Sequence, residues 1–313
     1  MKALRQMIER VRENPDRAWA LATLVETCGS TYRKPGARML VDEDGGTIGV
    51  LSGGCLEEEI AQRAMGIIGG TGPVLMTFDT RRLYGCNGEV RILVERLAPS
   101  GSGGNFLTEL GAALQRRELC RSVTSYEGGE IGTTLLGPTE IVSQRPGTFL
   151  HNVPLPIRLL LFGAGPEIVP VRQFAETLGW IVHHFSHPSE LPEGLVADEQ
   201  SAALVMTHQF GRDLAVLDRL LPLQLPYVGL LGPRNRYRQI VTELFERCAL
   251  KPEILLPIHA PAGLDIGSES PEEIALSIVA EVSAVLAQRH GGHLREKATA
   301  IHIASGPEAE RVA

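Results

Sequence analysis

Hydrophobic positions along the chain keep two rhythms, and the change between them divides the molecule. In residues 3 to 13, Leu4, Met7, Ile8 and Val11 recur at three- and four-residue spacing, which predicts an amphipathic helix. WALATLVETCG then reads as a strand. ARMLVDEDGGTIGVLSGG reads as a hairpin, because Asp44-Gly45-Gly46 supplies residues that tolerate positive φ. A helix is expected from about Gly54 to Met65, then strands at VLMTFD and EVRILVERL. APSGSGGN, residues 98 to 105, is a flexible break. A helix and a further hairpin follow it, ending near Pro146. Strands that pair mostly with their neighbours predict an α+β half.

From residue 157 the pattern changes to continuous apolar runs alternating with helical segments. LPIRLLLFGAG is a buried strand running into a glycine turn, and PEIVPVRQFAETLG is the helix leaving it. WIVHHF, SAALVMT and PYVGLLG supply three more strands, with RDLAVLDRLL and RNRYRQIVTELFERC as helices between. Alternating βα units with apolar strands predict a doubly wound parallel sheet. The fold class is therefore α/β: an N-terminal α+β domain over 1–145, then a Rossmann-like domain over 157–290. Residues 145 to 156, RPGTFLHNVPLP, are expected as the linker, and 291–313 as a flexible tail. In the last helix, Ser270 suits the N-cap, Pro271 the first helical position and Glu273 the return arm of a capping box.

Composition narrows the function classes. At 313 residues, with 43% hydrophobic and 21% charged positions, the chain is an ordinary globular protein. The net charge of -7 and the lack of a dense Lys/Arg cluster argue against a nucleic-acid partner. MKALRQMIERVRENPD lacks the apolar centre of a signal peptide, and no run reaches the roughly 18 apolar residues of a membrane span. A soluble, cytoplasmic protein with no membrane partner is expected. The five cysteines (Cys28, Cys55, Cys86, Cys120 and Cys248) contain no CxxC and form neither a disulfide framework nor a zinc module.

Candidate chemistry sits at two glycine steps. In GVLSGGCLEEEI, Ser52, Gly53 and Gly54 precede Cys55 at a helix start, where the positive end of the helix favours thiolate. Glu57, Glu58 and Glu59 oppose that effect, so the sign of the net shift stays open, as does the choice between a packed and a functional thiol. YGCNGEV offers a second glycine-flanked thiol, Cys86. GSTYRKPGARML carries Arg33, Lys34 and Arg38 on a turn-rich loop one hairpin away. In FGAGPEI, Gly163 and Gly165 sit where a dinucleotide fingerprint would, but Ile168 holds the third glycine position. The second strand ends in HHFSHP without the acid that usually meets a ribose hydroxyl. His183 and His184 are adjacent on a strand and point to opposite faces, so they do not chelate one ion together. His208 borders the crevice past the third strand, and Arg234 or Arg236 could meet an anionic ligand there.

Taken in order, GSTYRKPGARML, GVLSGGCLEEEI, GCNGEVRILVE, FGAGP, MTHQFGRD, YVGLLGPRNR and PAGLDIGSESPEEIALSIVAEV resemble the xanthine dehydrogenase accessory factor family. The likeness runs from about Ala20 to Ala287. It implies a maturation factor that holds molybdenum cofactor (molybdopterin with its metal) and passes it to a molybdenum hydroxylase apoenzyme. A cysteine desulfurase partner and a homodimer belong to the same expectation. The family cysteine that meets the cofactor and its metal falls on Cys55, and the second on Cys86. Arg33 and Arg38 become anion contacts for the pterin phosphate, with Gly163, Gly165, His208 and Arg234 left for a weakly held nucleotide. The chain departs from the family pattern at Asn87, at Ser186-His187-Pro188 and at Pro233. The alternative is an NAD(P)-dependent oxidoreductase with Cys55 near its substrate.

Overall fold

The computed structural model describes residues 1–296 apart from 30, 55, 80–87, 138, 141, 144 and 249–257. The side chains of residues 102, 247 and 248 also lie outside the described set, as do residues 297–313, most of the expected tail. The chain divides into two compact units, Met1–Pro156 and Ile157–Ala313.

Unit 1 is built on a five-stranded antiparallel sheet in the order β3-β2-β1-β5-β4. Its strands are β1 (Trp19–Gly29), β2 (Arg38–Val41), β3 (Thr47–Gly49), β4 (Val74–Asp79) and β5 (Gly88–Leu97). Strand alternation sorts their side chains between two cores. Met39 and Val41 join Leu51, Leu56 and Ile60 under helix α2 (Glu57–Ile68). Leu40, on the opposite parity, joins Trp19 and Leu21 beneath α1 (Lys2–Glu13) and α3 (Phe106–Gln115). Gly49 needs its missing side chain: a Cβ there would stand 2.4 Å from both the Arg38 carbonyl and the Met7 methyl.

Two expectations change here. Residues 145 to 156 are not a bare linker, because they contain β8 (Thr148–Val153). It pairs with β6 (Cys120–Ser125), which also pairs with β7 (Gly132–Leu136), giving a three-stranded sheet in the order β7-β6-β8. And α2 starts at Glu57 rather than Gly54, since residues 51 to 56 form a separate turn described below.

Unit 2 carries β9 (Arg158–Gly163), β10 (Ile181–Phe185), β11 (Ser201–Met206), β12 (Tyr227–Leu230) and β13 (Ile258–His259). They form one sheet in the order β10-β9-β11-β12-β13, parallel throughout. Helices α4 (Ile168–Thr177) and α7 (Pro271–Leu286) cover one face and α5 (Phe210–Leu220) and α6 (Arg234–Cys248) the other. This is the expected doubly wound Rossmann-like sheet. Its strand order reverses between β9 and β11, where such sheets open a ligand crevice. The predicted capping box is present: Ser270 Oγ accepts from Glu273 N–H at 3.3 Å, and Glu273 accepts from Ser270 N–H at 2.9 Å. The short β13 has no counterpart among the expected elements, two residues being too few to show a period.

Candidate functional site

Antiparallel register collects the motif loops of unit 1 at one end of its sheet. Thr23 pairs with Arg38, Met39 with Gly49, Gly29 with Gly88 and Asp79 with Glu89. The chain therefore leaves or re-enters the sheet at this end around residues 30–37, 50–56 and 80–87. Cys55 and Cys86 themselves lie outside the described residues. Cys28 belongs to this end too, as an exposed free thiol near the end of β1, and it is absent from the candidates that the sequence suggests.

The turn before α2 is organised by one carboxylate. Glu57 Oε1 accepts from the N–H groups of Leu51 (3.0 Å) and Ser52 (2.7 Å). Its Oε2 accepts from the Ser52 hydroxyl (2.6 Å) and from Leu56 N–H (3.1 Å). Ser52 Oγ in turn accepts from Leu56 N–H at 3.2 Å. Partial burial draws the Glu57 carboxyl upward, but the donors from Ser52 and Leu51 outweigh it and hold the group below the usual carboxylate range. Leu51 and Leu56 anchor the turn in the core, while Gly53 and Gly54 stay exposed between them. A Cβ on either glycine would meet nothing within 4 Å among the described residues, so close approach to the backbone there is sterically allowed by them. Gly54 also adopts φ +104°, which only glycine takes without strain.

The cationic loop contributes less than expected. Arg38 is only 6% exposed and, as the first residue of β2, has the parity of Leu40 rather than Met39. Its side chain therefore points to the sheet face opposite α2, where Nη2 donates to Ser122 Oγ at 3.0 Å and the guanidinium covers the Phe106 ring. Burial lowers its pKa to about 10 despite Glu95 nearby, and burial with Arg38 lowers His151 to about 4. Arg38 is thus held in the interior, on the sheet face opposite α2. Arg33 is exposed, on the stretch between Thr31 and Gly36. Gly36 lets that stretch lie against His151, whose ring nitrogen stands 2.6 Å from where a Cβ would be. An open groove of about 350 Å³ along α2 is lined by Glu57 and Glu58 and by no Lys or Arg, which suits no phosphate.

The glycine turn of unit 2 is filled by its own chain. A Cβ at Gly163 would fall 2.3 Å from the Met206 carbonyl oxygen, so that glycine serves the contact between β9 and β11. At Gly165 the space is taken by Glu167 Oε2 and the His208 ring, 2.6 and 2.9 Å from an added Cβ. Those two side chains approach each other at 3.4 Å, with His208 in a left-handed conformation (φ +56°). A buried carboxylate thus stands where a phosphate would meet the helix N-terminus. His184, on β10, donates to the Gly163 carbonyl at 2.7 Å. Arg234 is exposed at the start of α6. Arg236 is tied to the fully buried Asp213, which also accepts from the Thr207 hydroxyl. The acid missing from the end of β10 is supplied from further along: Glu190 Oε2 accepts from Ser186 N–H at 3.0 Å.

Known proteins divide in the same way. Residues 14–79 match the model of the XdhC and CoxI family, and residues 159–282 match the XdhC Rossmann domain. The chain belongs to the XdhC and CoxI family. A Bacillus subtilis relative, named as one of the probable subunits of a xanthine dehydrogenase, is 29% identical over 88% of this chain and 95% of its own length. An Escherichia coli relative called molybdenum cofactor insertion chaperone PaoD is 27% identical, over 85% of this chain and 82% of its own. A crystal structure of a xanthine dehydrogenase from Bacillus halodurans superimposes with a TM-score of 0.74 at 25% identity, covering 99% of both chains. In this XdhC and CoxI family member, the residues that sequence reasoning misses are Glu57, Glu167, Glu190 and Cys28. Glu57 and Glu190 are acids that reach back over a turn, and no spacing rule marks that habit.

Proposed function

We propose that this chain holds molybdenum cofactor as cargo and delivers it to a molybdenum hydroxylase apoenzyme of the xanthine dehydrogenase type. The observation that carries the reading is the exposed Gly53-Gly54 step, crowded by no described residue and latched by Glu57, in a chain of this family. The relative named as a molybdenum cofactor insertion chaperone supports the same role. Cys55, on that step, would offer the soft sulfur that suits the metal, while Gly53, Gly54 and Ser52 allow close backbone approach. Arg33 would supply a cation for the pterin phosphate, and the exposed Cys28 joins Cys55 and Cys86 as a candidate thiol. In this reading the protein carries and does not catalyse.

Unit 2 keeps at most a weak nucleotide site. Glu190 restores a carboxylate at the end of β10, which favours the oxidoreductase alternative, but Glu167 occupies the phosphate position. Action in the cytoplasm accords with the odd number of cysteines, and no described helix is long and apolar enough to cross a membrane. The homodimer and the cysteine desulfurase partner rest on the family resemblance alone. The test is the molybdenum and pterin content of protein purified from a molybdenum-replete host. Near-stoichiometric cofactor without measurable NAD(P) binding supports the carrier. A cofactor-free protein that binds NAD(P) at micromolar levels supports the oxidoreductase.

A further inference from the structure

The run Glu57-Glu58-Glu59 looks like one feature, but its members part company in space. Glu58 and Glu59 lie on the first turn of α2, where negative charge favours the helix. Glu57 is turned back out of the helix, and its carboxylate accepts four hydrogen bonds from Leu51, Ser52 and Leu56. Two of those residues precede the glycine step and one follows position 55. A single carboxylate therefore ties the two flanks of the glycine step together, Leu51 and Ser52 on one side and Leu56 on the other. The step has need of a clasp, because two consecutive glycines carry the largest backbone entropy of any pair. No side chain caps α2 at Leu56, so the turn is not shaped by ordinary N-cap chemistry either.

We infer that Glu57 is the positioning residue of the cofactor-holding turn: it touches no cargo, and it fixes the path of the backbone that presents Gly53, Gly54 and Cys55. This rests on the carrier reading above. Supporting groups one layer out from a metal commonly change its retention by about 10- to 100-fold when removed, and Glu57 would act on the turn in the same indirect way, through Leu51, Ser52 and Leu56. Gln at this position keeps one acceptor oxygen and the side-chain length, so it retains part of the clasp.

The experiment compares wild type, Glu57→Ala, Glu57→Gln and the control Glu59→Ala, each purified from the same molybdenum-replete host. Three quantities are read: pterin and molybdenum per chain, amide hydrogen exchange at Leu51, Ser52 and Leu56, and the thermal midpoint. The expected result is at least a roughly tenfold loss of cofactor in Glu57→Ala, faster exchange at those three amides only, and a midpoint close to wild type. Glu57→Gln falls between, and Glu59→Ala matches wild type. Full cofactor in Glu57→Ala, or exchange at the three amides unchanged, overturns the assignment while leaving the carrier reading intact. Equal loss in Glu59→Ala overturns it as well, pointing to helix charge instead. A wild type without cofactor sinks the carrier reading itself, and with it any role of Glu57 in holding cargo.

Discussion

Two glycine steps, each opening a helix and each followed by a glutamate, behave in opposite ways. At Gly53-Gly54 no described residue fills the space a side chain would take, and Glu57 holds the flanking N–H groups. At Gly163 and Gly165 the space is full, taken by the Met206 carbonyl, by His208 and by Glu167 itself. A glycine allows close approach, and it is indifferent to what approaches. In unit 1 that freedom is left for a ligand; in unit 2 the fold uses it for its own packing. The fingerprint that sequence habits associate with nucleotides is the one crowded by its own side chains, and the less familiar step is the one no described residue crowds.

The contrast is sharpest in alanine substitutions. Gly163→Ala puts a methyl against a backbone oxygen at φ +145°, combining strain with overpacking, and should destabilise unit 2 by more than about 3 kcal/mol. Gly53→Ala meets nothing; its stability should stay within roughly 0.5 kcal/mol of wild type while cofactor content falls. Chemical denaturation of both variants reads the first effect, and pterin analysis the second. Similar midpoints for the two would erase the distinction between a filled and an open step.

The closed turn can be reopened. Glu167→Ala removes both the bulk and the charge, so inorganic phosphate or ADP should bind about tenfold more tightly than to wild type, or roughly 1.4 kcal/mol. Wild type should bind nicotinamide dinucleotides no better than about millimolar by calorimetry. Micromolar affinity in wild type would mean that Glu190 and the crevice outweigh Glu167, reviving the oxidoreductase.

A smaller effect serves as the outgroup. Ser270 caps α7 far along the chain from either step, so Ser270→Ala should lower stability by about 1 kcal/mol with cofactor content unchanged. Loss of cofactor without loss of stability would show that α7 belongs to a site after all.

The smallest effect concerns acid. The Glu57 carboxyl lies below its ordinary value of 4.5, because its hydrogen bonds outweigh its burial. A depressed carboxylate contributes stability that is present above its unfolded pKa and lost as pH falls through its folded one. Amide protection at Leu51 and Ser52 should therefore persist down to the ordinary carboxylate range and fade below it. Protection that stays flat far below that range would mean the clasp does not depend on charge.

Much of the fold was legible because period and composition mark it. The apolar runs of β9, β11 and β12, the hairpin at Asp44-Gly45-Gly46 and the capping box at Ser270 each follow from local chemistry. The site was less so, for two different reasons. The burial of Arg38 was available from strand parity, since RMLV places it with Leu40 and away from the face that packs α2. The Glu57 clasp was not available, because an acid reaching back across two glycines depends on a turn that no propensity specifies. The segment carrying β8 was obscured by prolines at both ends, which mark a boundary without revealing that a second partner strand of β6 lies between them.

The central claim is that cargo is held at the turn carrying Cys55 in unit 1. It is tested most directly by measuring molybdenum and pterin per chain in Cys55→Ser, beside Cys86→Ser and wild type, with a thermal midpoint for each. The exchange of sulfur for oxygen nearly conserves volume, so a thiol that serves cargo rather than packing should cost less than about 1 kcal/mol on replacement. The account predicts that Cys55→Ser keeps its midpoint and loses its cofactor. Full cofactor in Cys55→Ser would contradict it, and loss in Cys86→Ser alone would move the site to the other thiol.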